Sequence, residues 1–164
     1  KVKNSRGKIV EIRNKVRQLA ARANLLIPKS SRIEVSHHYG LESFYKHGLS
    51  MIVIVNQSYC KKYLFLFKNQ VHPEQYHKKK KETFLILYGK IELNIKFKNK
   101  KKKMIMKSGE VFTIEPEMIH GFTALSPSGA VIEEISTESI KTDSYYIDER
   151  ITKNKNRKSL ISFH

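Results

Sequence analysis

Cysteine is almost absent. Cys60 stands alone, so no internal disulfide can form, which points to a reducing compartment such as the cytoplasm. Long apolar runs are absent too. Met51 to Val55 is among the purest, and it is far too short to span a bilayer as a helix. No signal-peptide pattern opens the chain. It begins at Lys1 rather than Met, from which a piece of a longer protein is expected. There is no internal repeat and no helix-turn-helix or RNA-recognition signature. Acidic residues are scarce, 15 Asp and Glu against 32 Lys and Arg, and the net charge is +17. Such a balance raises nucleic acid or a membrane surface as partners. Few aromatics interleave with the lysines, as a nucleic-acid groove would need. The charge therefore reads as lysines spread over solvated faces, and neither a nucleic-acid nor a membrane partner is expected. The main clusters are Lys78 to Lys81 and Lys96 to Lys103, the second placed as a hairpin loop between two strand-like segments.

What is present suits one globular domain. Apolar residues make up 40% of 164, enough for a real core. Residues 5–24 predict an amphipathic helix, with Ile9, Ile12, Val16, Leu19 and Ala23 on one face and Ser5 as N-cap. That helix, in a 1–29 arm, either packs on the domain or links it to a preceding one. Ile33, Val35 and His37 alternate with polar residues as a short strand, and residues 41–47 suggest a short helix. From Met51 the pattern is β, with strands expected at 51–56, 60–67, 83–88, 91–98, 104–106, 111–114, 120–124 and 130–136. Leu64 to Phe67 is apolar on both faces, as a covered strand would be. Many short strands favour an all-β barrel or sandwich over 30–150. Residues 151–164 read as a basic tail, mobile or helical.

The chemistry concentrates between His72 and Glu134. Gln75 and His77 lie two apart and would point the same way from a strand; His120 comes from another strand and can meet them across a narrow barrel. Imidazole with carboxylate suits a divalent Zn, Mn, Fe or Ni ion. The alternative is a metal-free barrel whose polar interior is satisfied by hydrogen bonds and water.

The segment His72 to Gly89 resembles the first cupin motif: His77, Glu82 and Gly89 match, while Gln75 stands where the first His of a pair is usual. Gly109 to His120 resembles the second motif. Gly109 and His120 match, but Glu115 holds the usual Pro position and Glu117 the usual Gly position. The resemblance implies a cupin fold (a double-stranded β-helix or jelly-roll barrel) behind an N-terminal α-helix, with a metal on Gln75, His77, Glu82 and His120. Arg32 to Phe44, Tyr59 to Lys62, Val131 to Thr137 and Asp143 to Tyr146 further resemble the cupin domain attached to N-acetylneuraminate (sialic acid) synthase-like proteins. The same barrel type is similar to D-lyxose isomerase. The first likeness implies a sugar-binding accessory domain in nonulosonic acid biosynthesis, with an upstream synthase domain and a homodimer. The second implies a metal-dependent aldose–ketose isomerase. A purely structural dimerisation module is a third reading.

Isomerisation needs a base, and Glu133 and Glu134 sit in an otherwise apolar strand. Only one can face the cavity, and Glu134 shares a face with Ser136; pairing with a surface lysine is the alternative. Lys80 falls where lyxose-isomerase-like sequences carry a functional Lys, although a run of four lysines ordinarily marks a solvated loop. His37 reads as a packed histidine. His72 has the wrong parity to join His77 unless a bulge intervenes at Pro73. Tyr76 is expected outside the site, Tyr145 and Tyr146 over the barrel mouth or packed with the tail, and Cys60 as a buried thiol.

Overall fold

The computed structural model describes residues 2–164, with side chains from Ser5 onward. Helix α1 (Val2–Arg22) leads into β1 (Arg32–Ser36), β2 (Leu49–Asn56), β3 (Tyr59–Leu66), β4 (Val71–Tyr76), β5 (Glu82–Tyr88) and β6 (Lys90–Phe97). There follow β7 (Lys100–Lys107), β8 (Val111–Ile114), β9 (Ile119–Ala124), β10 (Ala130–Thr137), β11 (Tyr145–Tyr146), helix α2 (Glu149–Lys153) and β12 (Lys158–Ser162). They form two facing antiparallel sheets, of order β12-β1-β2-β3-β10-β5-β8 and β11-β4-β9-β6-β7. This is the expected cupin-type jelly roll with an N-terminal helix.

Two apolar clusters hold it together. Between the sheets, Leu64, Leu66, Phe84, Ile86, Leu93, Phe122 and Ile132 pack as the barrel interior. Outside the larger sheet, Ile12, Val16 and Leu19 of α1 pack on Ile33, Val35, Ile52, Phe65 and Val131. That second cluster explains why β3 is apolar on both faces: one lines the barrel and the other lies under the helix. Of the two expectations for this helix, packing on the domain is the one seen: α1 covers the barrel's outer face. Helix α1 begins at Val2, so Ser5 lies inside it rather than at its cap.

Other expectations shift. The C-terminal tail is neither mobile nor only helical. After α2, β12 pairs with β1 at the edge of the larger sheet, and Phe163 is buried in the helix-side cluster. Residues 41–43 form one 3-10 turn. The lysine run at 96–103 is mostly strand, turned at Lys98 and Asn99, with β7 at the edge of its sheet. Lysines on such an edge discourage pairing with another chain.

Two turns hold the motif glycine positions. Gly89, between β5 and β6, has φ +78, and a Cβ there would collide with the Gly129 carbonyl oxygen. Glu117 has φ +73 although it is not glycine. With Pro116 before it and a Met118 N–H to Glu115 O bond of 3.2 Å, it occupies the third position of a type II turn. The motif's usual glycine is thus replaced in residue type while its backbone conformation is kept.

Candidate active site and metal centre

A cavity of about 220 Å³ opens between the sheets. His77, from just beyond β4, lines it, and behind His77 lie Glu82 at the start of β5 and His120 of β9. All three are buried, Glu82 to 1% exposure. His77 Nδ1 lies 2.8 Å from the Asp143 carbonyl oxygen, and His120 Nδ1 lies 3.0 Å from that of Met118. A carbonyl only accepts, so both Nδ1 atoms carry the proton and both Nε2 atoms present a lone pair inward. Glu82 Oε1 is 2.9 Å from His120 Nε2 and 3.6 Å from His77 Nε2. Glu82 Oε2 has the Lys80 ammonium against it, but His77 Nε2, His120 Nε2 and Glu82 Oε1 have no donor among them.

Acceptors thus face acceptors in a buried space, which is costly unless a cation lies between them. Their ligand atoms all fall within 4.8 Å of one another. Backbone carbonyls on the outer ring nitrogens are the usual means of aiming imidazoles at a metal. The donor set therefore fits a divalent ion. Gln75 lines the same cavity and is the cross-strand partner of His120, which places its amide beside the set.

Lys80 is not solvated. It is 7% exposed, and its ammonium lies 2.9 Å from Glu82 Oε2 and 3.3 Å from Glu134 Oε2. Burial alone would push the ammonium down, but Glu134 and Glu82 push it up and prevail, so Lys80 stays charged. Burial likewise opposes the charge on Glu82, yet the Lys80 ammonium beside it prevails and holds its carboxyl well below the usual carboxylate range. Of the adjacent pair, Glu134 lines the cavity, and Glu133 lies 3.7 Å from Lys61. Lys62 donates to Ser139 Oγ at 2.8 Å and stands 3.9 Å from Glu134.

Three contributors were not assigned to the site from sequence. His72 joins the cavity because β4 carries an extra residue: His72 pairs with Phe122 and Gln75 with His120, so Pro73 and Glu74 together oppose Gly121. The bulge restores His72 to the His77 face, stacked on Phe122 at 4.8 Å between ring centroids. Gly121 leaves it room, since a Cβ there would meet His72 O at 3.2 Å. Asp143 is the second. Its carboxylate accepts the backbone N–H groups of Lys78, Lys79 and Lys80, and its carbonyl holds His77. Burial would raise its pKa, but those three donors outweigh burial and lower it. Lys62 is the third. No spacing signal marks Asp143 or Lys62, whereas Pro73 was a cue for the bulge.

The remaining candidates take simpler places. His37 bonds Ser159 Oγ at 3.0 Å. Tyr76 stacks on Tyr145 at 5.1 Å, away from the cavity, while Tyr146 lines it. Cys60 is buried, and burial pushes its thiol up. His38 lies edge-on to His72 at 5.0 Å and to Tyr146 at 5.4 Å. Burial, then Arg157, pushes it down to about 3.

No protein-family model matches the chain. A D-lyxose/D-mannose isomerase of Thermosediminibacter oceani is 31% identical over 172 residues, spanning 89% of this chain and 94% of that protein. The chain belongs to the D-lyxose/D-mannose isomerase family. A D-lyxose ketol-isomerase of a Thermofilum species is 28% identical over 87% of the chain and 93% of its own length. Among solved structures, the L-ribose isomerase of Acinetobacter sp. DL28 superposes with a TM-score of 0.76 at 12% identity, over 94% of this chain and 96% of its own. That of Geodermatophilus obscurus gives 0.71 at 13% identity, over 90% and 94%. At such identities these two establish the fold. The family membership favours the isomerase alternative raised from sequence over the synthase-attached accessory domain, which gains no support. Among the described residues, no helix is long and apolar enough to cross a membrane.

Proposed function

We propose that this chain interconverts an aldose and the corresponding 2-ketose, for a small sugar of the D-lyxose or D-mannose kind named for its relatives. The observation that carries this reading is the meeting, in one cavity, of a buried His77–Glu82–His120 set with a second carboxylate, Glu134, through the ammonium of Lys80. His77, Glu82 and His120 hold the metal, with Gln75 beside them. When bound, the ion supplies a Lewis acid for neighbouring sugar oxygens.

The rest falls to the chain's own groups. Glu134 is the base that carries a proton between C2 and C1 of the sugar. Lys80 remains charged, so it cannot be that base. It orients both carboxylates and offers hydrogen bonds to a sugar oxygen as charge builds there. Tyr146 and Phe122 give the apolar carbon face a wall.

Exchange of the C2 proton into deuterated buffer tests this. D-lyxose or D-mannose should exchange with the manganese-loaded protein, and Glu134→Gln should slow exchange by about 10²–10⁴-fold while still taking up metal. Absence of exchange across a panel of aldoses by the metal-loaded protein would sink the reading.

A further inference from the structure

The cavity wall carries more positive charge than isomerisation of a neutral sugar requires. Lys62, Lys80, Lys141, Arg157 and Lys158 line it, against Glu34 and Glu134, with Glu82 just behind Lys80. Three of the cations are matched. Lys80 lies between Glu82 and Glu134, Lys62 stands near Glu134, and Lys158 pairs with Glu34 at 2.8 Å. Among the described residues, Lys141 and Arg157 have no carboxylate within ion-pair distance. These residues together therefore hold two positive charges in excess before any metal is counted.

Arg157 is held ready. Its Nη1 donates to the carbonyls of Asn154 at 3.1 Å and Ile151 at 3.4 Å. Its guanidinium lies over the Tyr146 ring at 5.6 Å. Its Nε is buried with no hydrogen-bond partner. The guanidinium is thus fixed in place by its backbone contacts and the Tyr146 ring, and it brings its charge to the cavity wall with no carboxylate against it. The position also suits one end of a sugar. Tyr146 pairs in register with Gln75, which pairs with His120, and the Tyr146 and His72 rings lie 6.2 Å apart. Arg157 thus stands one aromatic layer away from the residues around the His77–Glu82–His120 set.

We infer that the sugar turned over here carries an anionic group, phosphate or carboxylate, at the end remote from its carbonyl carbon, and that Arg157 and Lys141 receive it. As a statement about substrate this rests on the isomerase reading. As a statement about binding it is tested separately. A guanidinium and an ammonium together match a phosphate dianion in charge, and a carboxylate in part. Confinement in a cavity limits screening by salt, so the effect should exceed that of the lysines on the open surface.

The experiment uses the manganese-loaded full chain with D-mannose, D-mannose 6-phosphate and D-mannuronate, measuring binding by titration calorimetry and turnover by C2 exchange. At least one anionic sugar should bind at least tenfold more tightly than D-mannose; which one does so distinguishes phosphate from carboxylate. Arg157→Gln should remove at least fivefold of that preference. Lys141→Ala, at an exposed position, should do likewise without threatening the fold. The double substitution Lys100→Gln, Lys101→Gln on the distant β6–β7 hairpin should leave the preference intact. The inference fails if neither anionic sugar binds better than D-mannose, or if the hairpin variant loses as much as Arg157→Gln. Preferential binding without turnover would uphold the anion site and overturn the isomerase reading. Turnover of D-mannose with no anionic preference would do the reverse.

Discussion

The carboxylate of Asp143 gathers the N–H groups of Lys78, Lys79 and Lys80 while its own carbonyl fixes His77, so one residue sets both a metal-facing imidazole and the buried ammonium. Asp143→Ala leaves three backbone donors without their acceptor. We expect a loss of about 1–3 kcal/mol in denaturant unfolding. A metal titration should show affinity about 10–100-fold weaker, as for other partners of metal-bound histidines. Lost stability with unchanged metal affinity would mean that the loop does not position His77. His38 makes a different statement. Its folded pKa of about 3 lies below the ordinary 6.5, so the folded ring stays neutral while the unfolded ring takes a proton. The folded state is unaffected above pH 6.5 and loses stability as pH falls from there towards 3, by up to about 1.4 kcal/mol per unit. His38→Phe keeps a ring against His72 and Tyr146 without the titration. Its Tm should fall less than that of the parent between pH 7 and 4, and parallel curves would contradict the assignment.

At the scale of elements, the turn between β8 and β9 delivers His120, and it does so with Glu117 in a left-handed conformation. A side chain there costs about 1–2 kcal/mol relative to glycine. Part of this is returned through the freer unfolded chain of a glycine variant. Glu117→Gly should therefore raise stability by up to about 1 kcal/mol, seen as a higher urea midpoint at constant slope, and a lower midpoint would show that the Glu117 side chain earns its place. The same segment shows what a linear reading can and cannot reach. Gly109 and His120 were legible because their separation is fixed by strand and turn lengths. Lys80 was ambiguous because three neighbouring lysines mask the one whose backbone Asp143 turns inward. His72 was hidden by parity, since spacing alone cannot tell whether an extra residue sits at Pro73. Strand β12 escaped because Leu160 and Ile161 are its only apolar residues, and its pairing with β1 is dictated by the other end of the chain.

On the scale of the whole molecule, the His77–Glu82–His120 set draws on both sheets and is braced by the 141–146 segment, so an ion that binds only the assembled set must stabilise the entire fold. At a hundredfold excess over Kd this is worth about 2.7 kcal/mol. For a chain of this length that corresponds to a rise in Tm of about 5–10 °C on adding manganese or cobalt to chelator-stripped protein. Glu82→Gln should abolish the rise. A stripped protein whose melting is indifferent to every divalent ion would argue for a barrel that works without one.

The double grip of Asp143 also constrains how a sugar gets in and out. Were the 141–146 segment to swing away like a gate, it would let go of His77 and of the Lys80 backbone together, and on the proposed function each turnover would begin by dismantling the site. Traffic is better served by the flank formed by β1 and β2, where Met51, Val53 and Glu34 line the cavity and none of them anchors an imidazole. On that arrangement the 141–146 segment is a lintel that stays put while sugar passes beside it.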